Sequence, residues 1–183
     1  MPVQGFGQHF EELTAEYLSY VRGYVVYKGF VYQTPKSNEY VGTEVRYPSD
    51  VDIIGTRPNE LLLVSCTENL PTKLSPESGR GRDIGDRLRQ LDQALPYVEE
   101  RFGRYKTTKR AIAYLWMSSF QNPSSVEPGV ELISFKQMLN EVIDKMRRDT
   151  SDFKRKGAFT EPMLWLIARL YNRPGEPWIK IPP

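Results

Sequence analysis

The sequence predicts an α/β fold in which a mixed central β-sheet is flanked by helices. Segments with apolar residues at helical spacing alternate along the chain with short segments rich in Val, Ile, Tyr and Phe. One segment, residues 111–117, is apolar at odd and even positions alike, as expected for a strand that is covered on both faces. The length of 183 residues suits a single domain spanning 1–183 with its own core.

The first part of the chain predicts one helix followed by three strands. Apolar residues recur at helical spacing from Phe6 to Val21, and Gly23 stands where such a helix would end. β-branched and aromatic residues then dominate three segments that are separated by turn residues. These strands are expected over residues 24–34, 45–56 and 60–68.

The second part predicts a helix, two strands and two further helices. Apolar residues three and four apart indicate an amphipathic helix over 84–102. Pro96 interrupts its hydrogen-bond ladder, so this helix should either kink there or give way to a second helix that begins at the proline. The later elements are expected as strands over 111–117 and 130–133 and helices over 135–146 and 163–170. We expect residues 4–118 to form the core and residues 126–183 a C-terminal strand and helix extension.

The composition excludes several classes of protein. With 39% hydrophobic and 26% charged residues, the chain is typical of a packed domain rather than a disordered one. A single cysteine, Cys66, excludes an internal disulfide and a multi-cysteine zinc site, and a single histidine, His9, excludes a multi-histidine metal cluster. The longest aliphatic run, residues 61–64, is far shorter than the roughly 20 residues of a membrane helix. Residues 1–5 lack a basic region followed by an apolar one, so we expect no secretory signal. We expect a cytoplasmic protein without membrane association, whose metal ligands, if any, are mainly oxygens.

Two acids near the middle of the second predicted strand are candidate site residues. Strand side chains alternate between faces, so Asp50 and Asp52 should project to one face and Val51 and Ile53 to the other. Burying a carboxylate in an apolar segment is costly unless it is paired, hydrogen-bonded or bound to metal. Asp52 is therefore the stronger candidate, and the alternative is an ordinary aspartate in a turn or cap at the strand end.

The next strand and the first helix supply further polar candidates. Ser65 and Thr67 should share one face of the third strand, which leaves Cys66 and Glu68 on the opposite face unless a bulge intervenes. On the helix, Glu11 borders the apolar stripe and could reach over the sheet.

The other acids of the helix are expected to be solvated. Glu12 and Glu16 lie on the far side of the apolar stripe. The alternative role for Glu11 is a surface ion pair with a lysine such as Lys28, which would contribute little stability if exposed.

These segments resemble the restriction-endonuclease-like, or PD-(D/E)XK, nuclease superfamily. The resemblance rests on residues 7–11 (GQHFE) opening a helix, residues 49–55 (SDVDIIG), and residues 61–67 (LLLVSCT) before a second helix. It covers roughly residues 4–118 as an order of elements. It implies a core of the order αβββαβ.

The resemblance also implies a metal-dependent nuclease that cleaves DNA phosphodiester bonds. In that superfamily a helix glutamate, a strand aspartate and a further acid surround one or two magnesium ions, and a lysine two residues after the acid activates the attacking water. Glu11 matches the helix glutamate and Asp52 the strand aspartate, with Asp50 as an alternative ligand. Hard cations such as Mg²⁺ or Mn²⁺ prefer carboxylate oxygens, which suits these residues.

The sequence departs from the superfamily pattern at the acid-x-lysine motif. Residues 65–67 (SCT) stand there, and hydroxyl groups are neutral at pH 7. One alternative is that these functions have migrated, with Glu68 as the acid and Lys73 or Lys28 as the base. Otherwise the site binds metal weakly, or catalysis is lost and the domain is an inactive module that holds nucleic acid or a partner protein.

Basic residues between positions 73 and 110 favour a phosphate-bearing partner. This segment contains ten basic and six acidic residues. Arg80, Arg82 and Arg87 could contact a nucleic-acid backbone. The alternative is an ordinary solvated surface.

A second indication of nucleic-acid binding is a glutamine-to-tyrosine spacing in the second helix. Gln93 and Tyr97 match a motif of the recombination-nuclease branch of the superfamily, although both positions also suit a solvated helix face. The implied partner is DNA, with RNA as an alternative. A homodimer is a further implication of the resemblance, and a partner protein belongs to the alternative of an inactive module.

Overall fold

The chain forms a five-stranded mixed sheet flanked by three helices, which confirms the predicted α/β class. The structure is a computed structural model and describes residues 6–38, 43–70, 84–117 and 129–148. Its elements are α1 (Phe6–Tyr20), β1 (Val25–Asn38), β2 (Thr43–Arg57), β3 (Glu60–Leu70), α2 (Ile84–Phe102), β4 (Thr107–Met117), β5 (Val130–Ser134) and α3 (Phe135–Arg148). The predicted order of elements is therefore correct throughout the described residues.

The strands lie in the order β1-β2-β3-β4-β5. β1 pairs with β2, and β2 with β3, in the antiparallel direction. Asn59, with φ of 68°, lies in the two-residue turn between β2 and β3. β3, β4 and β5 pair in parallel, and α2 is the crossover between β3 and β4.

The helices cover the two faces of the sheet. On one face, here the α1 face, Phe10 of α1 and Met138 of α3 pack in one core cluster with Val64 of β3. On the other, the α2 face, Leu91 of α2 packs with Leu63 of β3. β5 and α3 thus extend the same sheet and the same core as the preceding elements.

The backbone shows where α1 ends and whether Pro96 divides α2. α1 ends at Tyr20, and Gly23 follows with φ of 70°, a conformation that glycine adopts without strain. α2 runs without a break from Ile84 to Phe102, with Pro96 inside it. Pro96 lies on the exposed side of α2, where water can satisfy the carbonyl group that its ring leaves without a donor.

The prediction that Glu16 is solvated is wrong, because its side chain is buried at 6% exposure. Consecutive residues from Leu13 to Leu18 are all buried, so α1 has no solvated side along this stretch. α1 packs against α3 as well as against the sheet, as the hydrogen bond from Tyr17 to Glu141 of α3 shows. Contact with two neighbours buries a wider arc of a helix than the apolar stripe indicates.

Candidate functional site

The candidate site lies where β2 and β3 separate. Their ladder runs from the pair Arg57 and Glu60 to the pair Ile53 and Val64. Beyond that pair β2 continues beside β1, and β3 continues beside β4. We call this point the fork. A fork leaves backbone groups on both strands without their ladder partners, and these need other hydrogen bonds.

Asp52 lies at the fork and bonds across it. The backbone N–H of Cys66 donates to Asp52 Oδ2 at 2.6 Å, so a side chain supplies the acceptor that a neighbouring strand would otherwise provide. Burial raises the pKa of Asp52, and the nearby charge of Asp50 raises it further. The Cys66 N–H, a hydrogen bond from Ser65 and the charge of Arg87 act in the opposite direction. Asp52 thus belongs to the interior of β2 and not to a turn or cap.

Arg87 holds the end of β3 from the α2 side. Its Nη1 donates to Ser65 Oγ at 3.0 Å and to the carbonyl oxygen of Cys66 at 3.3 Å, and its Nη2 donates to Thr67 Oγ1 at 3.0 Å. These bonds confirm that Ser65 and Thr67 share a face. The guanidinium group therefore bonds both hydroxyls.

Gln90, one turn further along α2, bonds the other side of the fork. Its Nε2 donates to the carbonyl oxygen of Asp50 at 2.7 Å. The backbone carbonyl oxygen of Gln90 accepts a hydrogen bond from Tyr32 Oη of β1 at 2.8 Å. α2 thus satisfies backbone carbonyl groups on both strands where they part.

Side-chain alternation reverses in β2 at Asp52. Val51 packs on the α2 face and Ile53 on the α1 face, so the prediction that they share a face is wrong. Gly29 of β1 lies between the partners of these two residues, opposite Asp52, with φ of 62°. Because glycine adopts this left-handed conformation without a Cβ penalty, both strands change faces at the same point. Asp52 consequently interacts with groups on both sides of the sheet.

Glu11, on α1, faces the two aspartates. Burial raises the pKa of Glu11, and the charges of Asp52 and Asp50 raise it further, while Lys28 lowers it. Glu11, Asp50 and Asp52 are called the acidic cluster below. Lys28 Nζ forms its ion pair with Glu12 Oε2, at 2.5 Å, and not with Glu11. Glu11 thus lies within electrostatic range of Asp50 and Asp52, the other two acids that the sequence singled out as metal ligands.

The acidic cluster would supply only part of the coordination of a metal ion. Among residues 6–38, 43–70, 84–117 and 129–148, no group of three or more His, Cys, Asp and Glu side chains could hold a metal ion. Mg²⁺ is commonly held by only one or two carboxylates, with water and substrate phosphate completing its coordination. Besides burial, the charge of Asp52 raises the pKa of Glu11, and the charge of Asp50 raises that of Asp52. A cation bound nearby relieves such repulsion. Glu11 and Asp52 are the two carboxylates that could hold such an ion.

Several predicted site residues lie outside the part of the chain that the structure describes. Lys73, Arg80 and Arg82 belong to the segment 71–83. Glu68 has its backbone in β3, but its side chain is outside the described set. Their roles stay predictions, as does the extension over residues 149–183.

The predicted nucleic-acid contacts on α2 divide into two kinds. Gln93 is exposed on the helix surface. Tyr97 is half-buried, and its ring centroid lies 5.3 Å from that of Tyr32. Arg87 is committed to the end of β3, as described above. Only Gln93 of these three presents an exposed side chain.

Sequence reasoning missed Gln90 and Gly29. Gln90 lies three residues after Arg87, on the same side of a helix, which is the signal that could have found it. Gly29 is an isolated glycine within a strand pattern, which often marks an irregularity in the ladder.

Burial raises the pKa of the Cys66 thiol well above its usual value, so this thiol stays protonated at neutral pH and is a poor nucleophile.

Comparisons with known proteins add no assignment. No protein-family model and no curated protein matches the chain. A crystal structure of a protein of unknown function, AF1548, is similar to it over 77% of each chain, at 13% identity and a TM-score of 0.44. A likeness of this extent carries no functional information. In the described part of the chain, no helix is long and apolar enough to span a membrane.

Proposed function

We propose that this chain is a metal-dependent nuclease of the restriction-endonuclease-like type that cleaves DNA phosphodiester bonds. The observation that carries the proposal is the acidic cluster, in which Glu11 from α1 lies within electrostatic reach of Asp50 and Asp52 from β2. Partly buried carboxylates that repel one another are costly, and such groups concentrate at functional sites. A divalent cation is the chemistry that makes this arrangement favourable.

The order of the elements supports the same proposal. A helix carrying Glu11 precedes three strands, Asp52 lies at the fork of the second and third, and a helix then leads to a parallel strand. This is the αβββαβ order that the resemblance implies. The proposal takes DNA as the substrate and the cytoplasm as the location of the protein.

The chain's own residues orient the proposed ligands. The Cys66 N–H and Ser65 fix the Asp52 carboxylate, and Arg87 in turn fixes Ser65. Glu11 and Asp52 would hold the ion. A bound divalent ion lowers the pKa of its water and neutralises charge on the phosphate that water attacks.

A second candidate function is a catalytically inactive module that binds nucleic acid or a partner protein. The observation that favours it is the bonding of Ser65 and Thr67 to Arg87. Neither position carries an acid or a lysine, and both hydroxyls already have a cationic partner. Such a module would hold DNA, RNA or a second protein chain, itself included as a homodimer, without cutting.

The two functions separate in one cleavage experiment. Labelled single-stranded, duplex and branched DNA, and a matched RNA, are incubated with the protein in Mg²⁺, Mn²⁺ or EDTA. The nuclease proposal expects metal-dependent cutting that falls at least about a hundredfold in Asp52→Asn. The exposed Glu100→Gln is the matched control and should cut normally. Binding without cutting in every lane would support the inactive module.

A further inference from the structure

Lys28 is a cation at the border of the acidic cluster. It precedes Gly29 on β1, and its strand partner is Ile53, so it lies beside the point where Asp52 crosses between the faces. Its ammonium group contacts Glu12 and acts electrostatically on Glu11, the next residue of α1. Lys28 therefore stands on the α1 face together with Glu11.

Lys28 and Arg87 differ in their freedom to bind a ligand. The Arg87 guanidinium donates to three acceptors within residues 65–67. The Lys28 side chain is 46% exposed, and its partner Glu12 is 44% exposed. An ion pair between two exposed side chains contributes little to stability, so an incoming anion can replace the carboxylate of Glu12. Arg87 suits a positioning role, whereas Lys28 is able to move to a substrate.

The charge of the acidic cluster favours a further cation for the binding of a phosphodiester. Three carboxylates repel a phosphate, and one divalent ion offsets only part of their charge. A cation aimed at a nonbridging phosphate oxygen attracts the substrate and stabilises the negative charge that grows there during attack. Lys28 has the charge, the exposure and the location for this task.

We propose that Lys28 is the substrate-binding cation of this site, whose ammonium group leaves Glu12 to bind a nonbridging oxygen of the scissile phosphate. The inference rests on the proposed nuclease function. In the hydrolysis, the water oxygen bonds to phosphorus and the bond from phosphorus to one bridging oxygen breaks. The water loses a proton to solvent, and the leaving oxygen takes one from solvent. Lys28 forms no covalent bond and gives up no proton.

The test compares Lys28→Gln with Glu12→Gln, which removes the same ion pair from its other side. We expect Lys28→Gln to lower kcat/KM for Mn²⁺-dependent DNA cleavage by about a hundredfold. Glu12→Gln should change it by less than about threefold, because Lys28 is kept. Lys28→Arg should recover part of the loss. Equal losses in the two glutamine variants, or a Lys28→Gln variant as active as wild type, would overturn the inference.

A second readout does not depend on cutting. Titration of Mn²⁺ without DNA should show equal or tighter binding to Lys28→Gln, since a cation beside the acidic cluster opposes the metal. DNA binding in Ca²⁺ should weaken in Lys28→Gln, with a shallower salt dependence, and should be equal or tighter in Glu12→Gln, which removes the competing carboxylate. If wild type never cuts, the nuclease proposal fails by itself. Identical DNA binding by wild type and Lys28→Gln would then overturn the Lys28 inference separately.

Discussion

The carboxylate of Asp52 serves as the strand partner of Cys66. Its Oδ2 accepts the Cys66 N–H at 2.6 Å where the ladder between β2 and β3 has stopped. An acid is thus held in place by the backbone of a neighbouring strand. The same contact helps to maintain the fork and to orient the acid, so one hydrogen bond contributes both to stability and to the geometry of the site.

Replacing Asp52 should separate its hydrogen-bonding role from its charge. Asp52→Asn keeps an oxygen acceptor for the Cys66 N–H and removes a repulsive charge, so we expect a change in unfolding free energy below about 1 kcal/mol. Asp52→Ala leaves the N–H without its acceptor and should cost about 1–3 kcal/mol. Urea denaturation measures both. Equal losses in the two variants would show that the Cys66 hydrogen bond is unimportant.

Arg87 should stabilise the fork through its bidentate contacts. Arg87→Lys retains the charge but cannot bond Ser65 and Thr67 as a planar guanidinium does, and we expect a loss of about 1–3 kcal/mol. Arg89→Lys, two residues along on the exposed side of α2, is the control and should cost less than about 0.5 kcal/mol. The measurement is the denaturation midpoint of each variant. Similar midpoints would argue against this role.

Glu60 should give the protein an acid-sensitive component of stability. Burial acts to raise its pKa, but hydrogen bonds from Tyr24, Lys109 and Arg57 hold that pKa at about 2, below the ordinary 4.5. A lowered folded-state pKa stabilises the fold above pH 4.5, and this stabilisation is lost as the pH falls towards 2. Glu60→Gln should therefore be less stable at pH 7 and show a flatter decline between pH 5 and 2. Parallel curves for both proteins would contradict this.

Gly29 should matter for metal binding as well as for stability. Its φ of 62° strains any other residue, so Gly29→Ala should cost about 1–2 kcal/mol, although no atom lies within 4 Å of an added Cβ. Gly103→Ala, with φ of 87° and equally open space, is the matched control. Because Gly29 lies opposite Asp52, only Gly29→Ala should also weaken Mn²⁺ binding. Isothermal titration measures this affinity. Equal effects of the two variants on the affinity for Mn²⁺ would show that Gly29 has no specific role in the site.

The fold was predictable because its elements have strong local signals. Helical spacing, β-branched segments and turn residues predict each described element. They include β4, which is apolar on both faces and lies between β3 and β5. Glu11 was predictable for the same reason, since its place beside the apolar stripe determines which way it faces. The prediction for Glu16 failed because the packing of α3 on α1 joins residues more than a hundred positions apart.

The fork could not be predicted, because it depends on where a ladder stops rather than on the pattern of one strand. Simple alternation put Val51 and Ile53 on one face, and the reversal at Asp52 and Gly29 separates them. The contacts of Arg87 and Gln90 with the fork depend on the angle at which α2 crosses the sheet. Local periodicity contains no information about that angle.

Isothermal titration of Mn²⁺ into the wild type, Asp52→Asn, Glu11→Gln and the control Glu100→Gln tests the central claim most directly. The claim is that the acidic cluster binds a divalent ion. We expect wild type and Glu100→Gln to bind one ion with the same affinity, and each of the other two variants to bind at least about tenfold more weakly. Absence of binding to wild type, or equal affinity in all four proteins, would contradict the claim.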